Sequence, residues 1–225
     1  MPRRPQPRSP APTGAEIDDQ ARTRGRLLET AGRIFAEKGF YQATGKEICR
    51  RAHANAAAIN YHFGGIEGLY AAVVREAHRR LLAFDELSAA VASSGDAESR
   101  LRAFFTLMVR ALTGPASSSW VLRIIAREIV ATTPAVESIR SREVLPKARL
   151  LRQIISQLMG LPPRHPAVAR TMLSVFAPCF MLMVGDRRLL PRAFSGLGLR
   201  QADAPGLIDH MLGFTLAGIA GQSAE

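Results

Sequence analysis

Between Thr44 and Phe63 the chain reads TGKEICRRAHANAAAINYHF, and here residue type and spacing offer a definite chemistry. Asn60 and His62 carry hydrogen-bonding groups, while Ala57 and Ala58 ahead of them present almost no side chain. A helix surface built this way can lie deep in the major groove of duplex DNA, where base edges expose distinct donors and acceptors. Lys46 and the Arg50-Arg51 pair flank the stretch as cations suited to phosphates. The chemistry is recognition rather than catalysis. The chain has no HExxH, no GxSxG, no paired Cys and His in a sensible context and no cofactor fingerprint, so no catalytic residue and no cofactor is expected. FGGIEG at 63–68 is not a phosphate loop, because no GK[ST] follows and no strand precedes it. His165 and His210 have no companion ligands, so no metal is expected either.

Positioning those groups takes two short helices and a tight turn. The first, Thr44 to Ala52, turns Ile48 and Ala52 inward, and Ala54 plugs the turn. The second runs from Asn55, a good N-cap, to about Tyr61 and is anchored by Ile59. Upstream, Leu27, Leu28, Ala31, Ile34 and Phe35 form a helical stripe that Gly39 ends. Downstream, a long helix is expected from Ile66 to Phe84, with its stripe at Leu69, Tyr70, Val73, Val74, Ala77 and Leu81.

Ser93-Ser94-Gly95 interrupts the pattern, and Asp96 can cap a helix to about Thr113. Serines in the 114–119 loop can cap the next, 118–131. Thr133-Pro134 starts a segment to Gly160 with a kink expected near Pro146. Helices of about 166–184 and 204–220 complete the chain. Period-2 alternation is absent, so the fold class is all-α.

The chain has 225 residues, 47% hydrophobic and 22% charged, enough to fill a globular core. A net charge of +11 favours polyanionic partners, although the excess of arginine over lysine also fits a GC-rich genome. Cys49 and Cys179 stand far apart, which fits a reduced cytosol. Residues 1–19 read as a disordered basic tail with no secretory signal. The apolar run from Met172 to Gly185 is shorter than the roughly 20 residues a membrane span needs, so no membrane association is expected.

The whole arrangement resembles the TetR family of bacterial regulators. Matching residues are Phe35 and Gly39, then Thr44, Ile48, Ala52, Ile59, Tyr61, Phe63, Glu67 and Leu69, and the likeness spans about Thr23 to Val74. AAINYHFGG, WVLRIIAREIV and the C-terminal layout look like the CecR-type subgroup. The resemblance implies an N-terminal three-helix helix-turn-helix domain, 20–66, and a larger helical effector-binding and dimerisation domain, 67–225. It also implies a homodimeric repressor in the bacterial cytosol that binds a palindromic double-stranded operator and is released by a small hydrophobic effector. On the DNA side it points to Thr44, Lys46, Asn55, Ala57, Ala58, Asn60, Tyr61 and His62. Two positions depart from the pattern. His53 stands at the usual turn glycine, and must either go left-handed or reshape the turn. Ile66 replaces the usual lysine and removes a phosphate contact.

The helices at 166–184 and 204–220 are apolar on more than one face, as a dimer seam or a central core helix would be. On the 118–131 helix, Glu128 falls beside Val121, Ile124 and Ile125, while Arg127 shares a face with Trp120 and Arg123. Two readings remain open there, an internal Glu–Arg ion pair or polar groups of an effector pocket. The second makes Trp120, Arg123, Arg127, Glu128 and Phe176 effector-binding candidates. Met108, Met159, Met181 and Met183 fit either a core or an adaptable pocket. The alternative to a repressor is an effector-independent structural DNA-binding protein, which would need no pocket.

Overall fold

The computed structural model describes residues 14–114, 119–131, 133 and 136–222, and these contain helices and no strand. The helix α1, Gly14–Lys38, starts inside the stretch expected to be disordered. Within it Asp18 pairs with Arg22 one turn on. Residues 1–13, the serines at 117–118 and the Pro134 start signal lie outside the described residues.

Then come α2, Gly45–Arg51, and α3, Ala58–Phe63, followed by α4, Ile66–Leu81. The helix α4 stops short of Phe84. Leu82 is extended and buried, and Phe84 opens a separate helix, α5 (Phe84–Ala92), with Asp85 and Glu86 in its first turn. In α6, Ala97–Thr113, Asp96 caps as expected, its carboxylate accepting from the Ser99 N–H at 2.7 Å. Ser119 caps α7, Trp120–Val130, in the same manner.

The kink expected at Pro146 takes a specific form. A short α8, Glu137–Ile139, passes into a π-helical turn, Arg140–Val144, before α9, Leu145–Met159. Proline cannot donate to the carbonyl one turn back and its ring crowds it, so a widened turn immediately before it relieves the conflict. Then follow α10, Pro166–Val184, α11, Leu190–Ala193, and α12, Ala204–Gln222.

One continuous core joins the longer helices, from Leu27 of α1 to Ile219 of α12. The helix α7 lies against both α1 and α4, and α6 packs on α5, α9 and α12. By length and composition α10 is apolar enough to cross a membrane, being longer than the run noted in the sequence. Here it packs on α6, α7, α9 and α12, burying Val168, Val175, Cys179 and Leu182 and exposing Leu173 and Met181. The helix α12 likewise buries Ile208, Met211, Leu212 and Ile219 and exposes Phe214.

Candidate nucleic-acid interface and apolar cavity

The two short helices are held by their ends. Thr44 caps α2, its Oγ1 accepting from the Glu47 N–H at 3.3 Å, and Ile48, Ala52 and Ile59 are buried beneath. His53 takes the left-handed conformation with φ 49, so the first of the two alternatives holds. Its N–H reaches the Arg50 carbonyl while the Ala54 N–H reaches that of Cys49, closing α2 in a Schellman motif. An L-residue there costs about 1–2 kcal/mol, the price of losing the glycine.

Asn55 starts the second helix indirectly. Its Oδ1 accepts from the Ala57 N–H at 2.9 Å and its carbonyl from Ala58, forming a turn ahead of the α-helix proper, whose cap position is Ala57. Asn60 is exposed, Tyr61 is 71% exposed, and His62 is half-buried with its ring edge-on to Tyr61. Ala57 is exposed, while Ala58 packs partly onto the core. Lys46 and Arg50 are exposed on α2. Arg51 is not a free phosphate anchor, because it pairs with Glu47 at 2.8 Å and Glu37 at 3.8 Å. Gly68 fixes α3 against α4, since a Cβ there would lie 1.9 Å from the Phe63 carbonyl oxygen.

A second set of contacts ties this unit to the rest. The Trp120 indole donates from Nε1 to Glu29 of α1 at 2.9 Å, and the Arg80 guanidinium of α4 stands 5.2 Å over its ring. Arg80 also pairs with Glu29 at 2.9 Å. Burial would raise the Glu29 pKa, but the hydrogen bonds from Trp120 and Arg80 outweigh it and hold the carboxyl below its ordinary range. Arg127 reaches the Ala36 carbonyl at the end of α1.

Behind this junction lies a cavity of about 400 Å³, in the size range of small-molecule sites. Phe104, Met108, Ile125, Leu151, Met172, Phe176 and Met183 line most of it. Its polar groups are His78, Glu128, Glu143 and Lys147. Glu128 is buried, accepting from the Tyr70 hydroxyl at 2.5 Å and from the Thr133 N–H and hydroxyl at 3.2 Å each. Burial first, then the Glu128 carboxylate, pushes the Tyr70 hydroxyl pKa well up, so Tyr70 stays a donor.

Of the five residues expected together at an effector site, the structure brings Glu128 and Phe176 to the cavity. Trp120 and Arg127 face α1 instead, and Arg123 is exposed. Of the methionines, Met108 and Met183 line the cavity, whereas Met181 is half exposed. Sequence reasoning missed His78 and Lys147. A signal existed for both. His78 lies one turn after Val74 on the apolar side of α4, and Lys147 lies between Val144 and Leu151 on that of α9.

Residues 27–73 match the family described as bacterial regulatory proteins, tetR family. Residues 97–219 match the HTH-type transcriptional dual regulator CecR, C-terminal domain. A probable HTH-type transcriptional regulator, YttP of Bacillus subtilis (strain 168), is 24% identical over 135 residues, which is 60% of this chain and 64% of that protein. The chain thus spans less than two thirds of that relative's length. A solved structure of a putative transcriptional regulator from Pseudomonas aeruginosa PAO1 superposes with a TM-score of 0.64 at 20% identity, covering 87% of this chain and 90% of that one. The structure of AibR in complex with isovaleryl coenzyme A and operator DNA gives 0.64 at 19% identity, covering 86% and 97%. At these identities the structural likeness is one of fold.

Proposed function

The chain belongs to the TetR family of bacterial transcriptional regulators, with a C-terminal domain of the CecR type, and on that premise we propose that it is a homodimeric repressor released from a near-palindromic operator by a small hydrophobic effector. It is a regulator and not an enzyme. We assign DNA reading to 20–66 and effector binding and dimerisation to 67–225, in a protein that works in the bacterial cytosol. Asn60 and His62 read base edges, Lys46 and Tyr61 hold phosphates, and Thr44, Asn55, Ala57 and Ala58 shape the surface that enters the groove.

One observation carries the effector reading. Glu128 lines the cavity and at the same time accepts from Tyr70 of α4, the helix on which α3 rests. A molecule filling the cavity therefore meets a group bonded to the support of the recognition helix. Occupancy that favours one placement of α4 shifts the population of DNA-competent dimers by its differential affinity for the two states.

The seam assigned to the dimer is the apolar side of α10 and α12 that the protomer leaves exposed, with Leu173, Met181 and Phe214. Exposed apolar side chains gathered on two helices that pack on each other point to an interaction site. AibR, solved in complex with isovaleryl coenzyme A and operator DNA, is a case in which one protein of this fold takes both a small acyl ligand and DNA.

Selection from a random duplex pool with the full chain, followed by footprinting, tests the reading. A protected near-palindrome with half-sites about one helical turn or a multiple apart is the expected result. Diffuse, salt-sensitive binding without a preferred sequence would replace it with the effector-independent structural role.

A further inference from the structure

We propose that the effector is an amphipathic monoanion, its acid group held by Lys147 and His78 and its apolar body lying against Phe104, Met108, Met172 and Phe176. This deepens the effector reading above and rests on it.

The geometry sets Lys147 apart from the other cations. Its side chain is 14% exposed, and it lines a cavity whose walls are mostly aliphatic and aromatic. Its ion-pair partner Glu143, one turn back on the π-helical segment, stands at 4.0 Å, beyond hydrogen-bonding reach. An ammonium carries three donors, and among walls this apolar a partner at closer range is favoured. Burial holds the Lys147 pKa below the ordinary lysine value, against the opposing pull of Glu143. His78 lines the same cavity, and its pKa is brought down to about 4, first by burial and then by the charge of Lys147. Two nitrogen donors of α4 and α9 thus feel each other across one apolar space, one charged and one neutral.

The carboxylates decide the sign of the guest. Glu128 already accepts from Tyr70 and twice from Thr133, so a cationic guest would have to compete with those donors. Taking Glu143 instead would strip Lys147 of its counter-charge inside the cavity, at the desolvation cost of a half-buried ion. An anion at Lys147 gains a charge-assisted contact and displaces only the 4.0 Å pair. Glu128, already bonded by Tyr70 and Thr133, opposes it from the cavity wall, and so does Glu143. The Glu143 side chain is 24% exposed, so it has access to water when the anion enters.

Calorimetry on the whole 225-residue chain with decanoate, decanol and decylamine, and with 2-naphthoate and 2-naphthalenemethanol, tests this directly. At least one acid should bind about tenfold or more tighter than its alcohol, the range of one charge-assisted hydrogen bond. The amine should bind weakest of the decyl series. Lys147→Met should remove the preference while leaving the alcohol's affinity in place, which shows an intact cavity, and Lys147→Gln checks the same point if the methionine variant misfolds. An alcohol equal to its acid, a preference that survives both substitutions, or no binding by either acid overturns the proposal. Failure of the effector reading looks different: ligands bind, and the affinity for the selected operator stays the same with and without them.

Discussion

The ring of Trp120 lies so close over Gly32 that a Cβ at Gly32 would stand 2.6 Å from its carbons. Helix α7 is thereby pressed onto the backbone of α1, with the indole N–H turned to Glu29. Gly32→Ala would gain about 1 kcal/mol in helix propensity at this mid-helix site. The clash with a fully packed ring costs about 1–3 kcal/mol, so the net effect should be a loss. A lower urea midpoint for the alanine variant is expected. An unchanged or higher midpoint would mean that α7 is free to move away from α1.

Asn60→Ala and Tyr61→Ala touch side chains that are exposed in the protomer, so folding should be unaffected. Each should weaken binding to the selected operator by about 1–3 kcal/mol if it removes a base contact. Loss of a phosphate contact, the role given to Tyr61, should weaken all duplexes alike and leave the salt slope unchanged, because a phenol hydroxyl displaces no counterion. Fluorescence anisotropy over a salt series reads both. Full affinity in both variants would remove α3 as the reading helix.

His78 gives the stability a pH dependence of predictable sign. Its folded pKa is about 4, below the ordinary value of 6.5, chiefly because burial disfavours the charged ring. The unfolded chain therefore takes up a proton as pH falls below about 6.5, while the folded protein stays neutral there until about 4. Stability should fall across that window, with a slope from this group of at most about 1.4 kcal/mol per pH unit. The carboxyl of Glu29, and that of Glu76 held low by hydrogen bonds from Arg79 and Arg80 on the same helix, act separately, losing their contribution only as pH falls below their ordinary 4.5. Denaturant melts at pH 7, 6 and 5 should show a slope that His78→Gln flattens. A slope unchanged in that variant would assign the dependence to other groups.

Leu173→Glu and Phe214→Glu place charge on the exposed apolar side of α10 and α12, where the protomer's own core is untouched. Sedimentation should move from a dimer to the 24.4 kDa monomer, with helical content retained. Met211→Glu is a poor probe, because Met211 is buried within the protomer. A dimer intact in both exposed-site variants would move the seam elsewhere.

Most helices were legible because each announces itself locally. Asp96, Gly39 and the serines before Trp120 mark ends, and the stripes of α1 and α4 mark faces. What failed was of two kinds. The 14–19 stretch looked like tail because its sequence offers few apolar residues, yet it continues the helix that carries the Leu27–Phe35 stripe, with Asp18 paired to Arg22. The break at Leu82 was hidden because Leu81, Leu82 and Phe84 are all apolar and no glycine or proline interrupts them. The site was only half legible for a different reason. A helical wheel separates Glu128 from Trp120 and Arg127 correctly, but periodicity within α7 cannot say which side meets α1 and which the cavity. That depends on tertiary pairing, and Trp120 and Arg127 went to α1.

The π-helical turn at Arg140–Val144 has a consequence for how such a pocket can change over generations. A turn of this kind holds one residue more than its α-helical equivalent. Each residue of an α-helix rotates the next by about 100°, so losing the extra one would re-index every side chain of α9 relative to α8. Lys147 would leave the cavity wall and a neighbour would take its place, with the length of chain altered by a single codon. The turn is a dial on the lining of the cavity, and a lineage can reset its ligand there without revising the helices that read DNA.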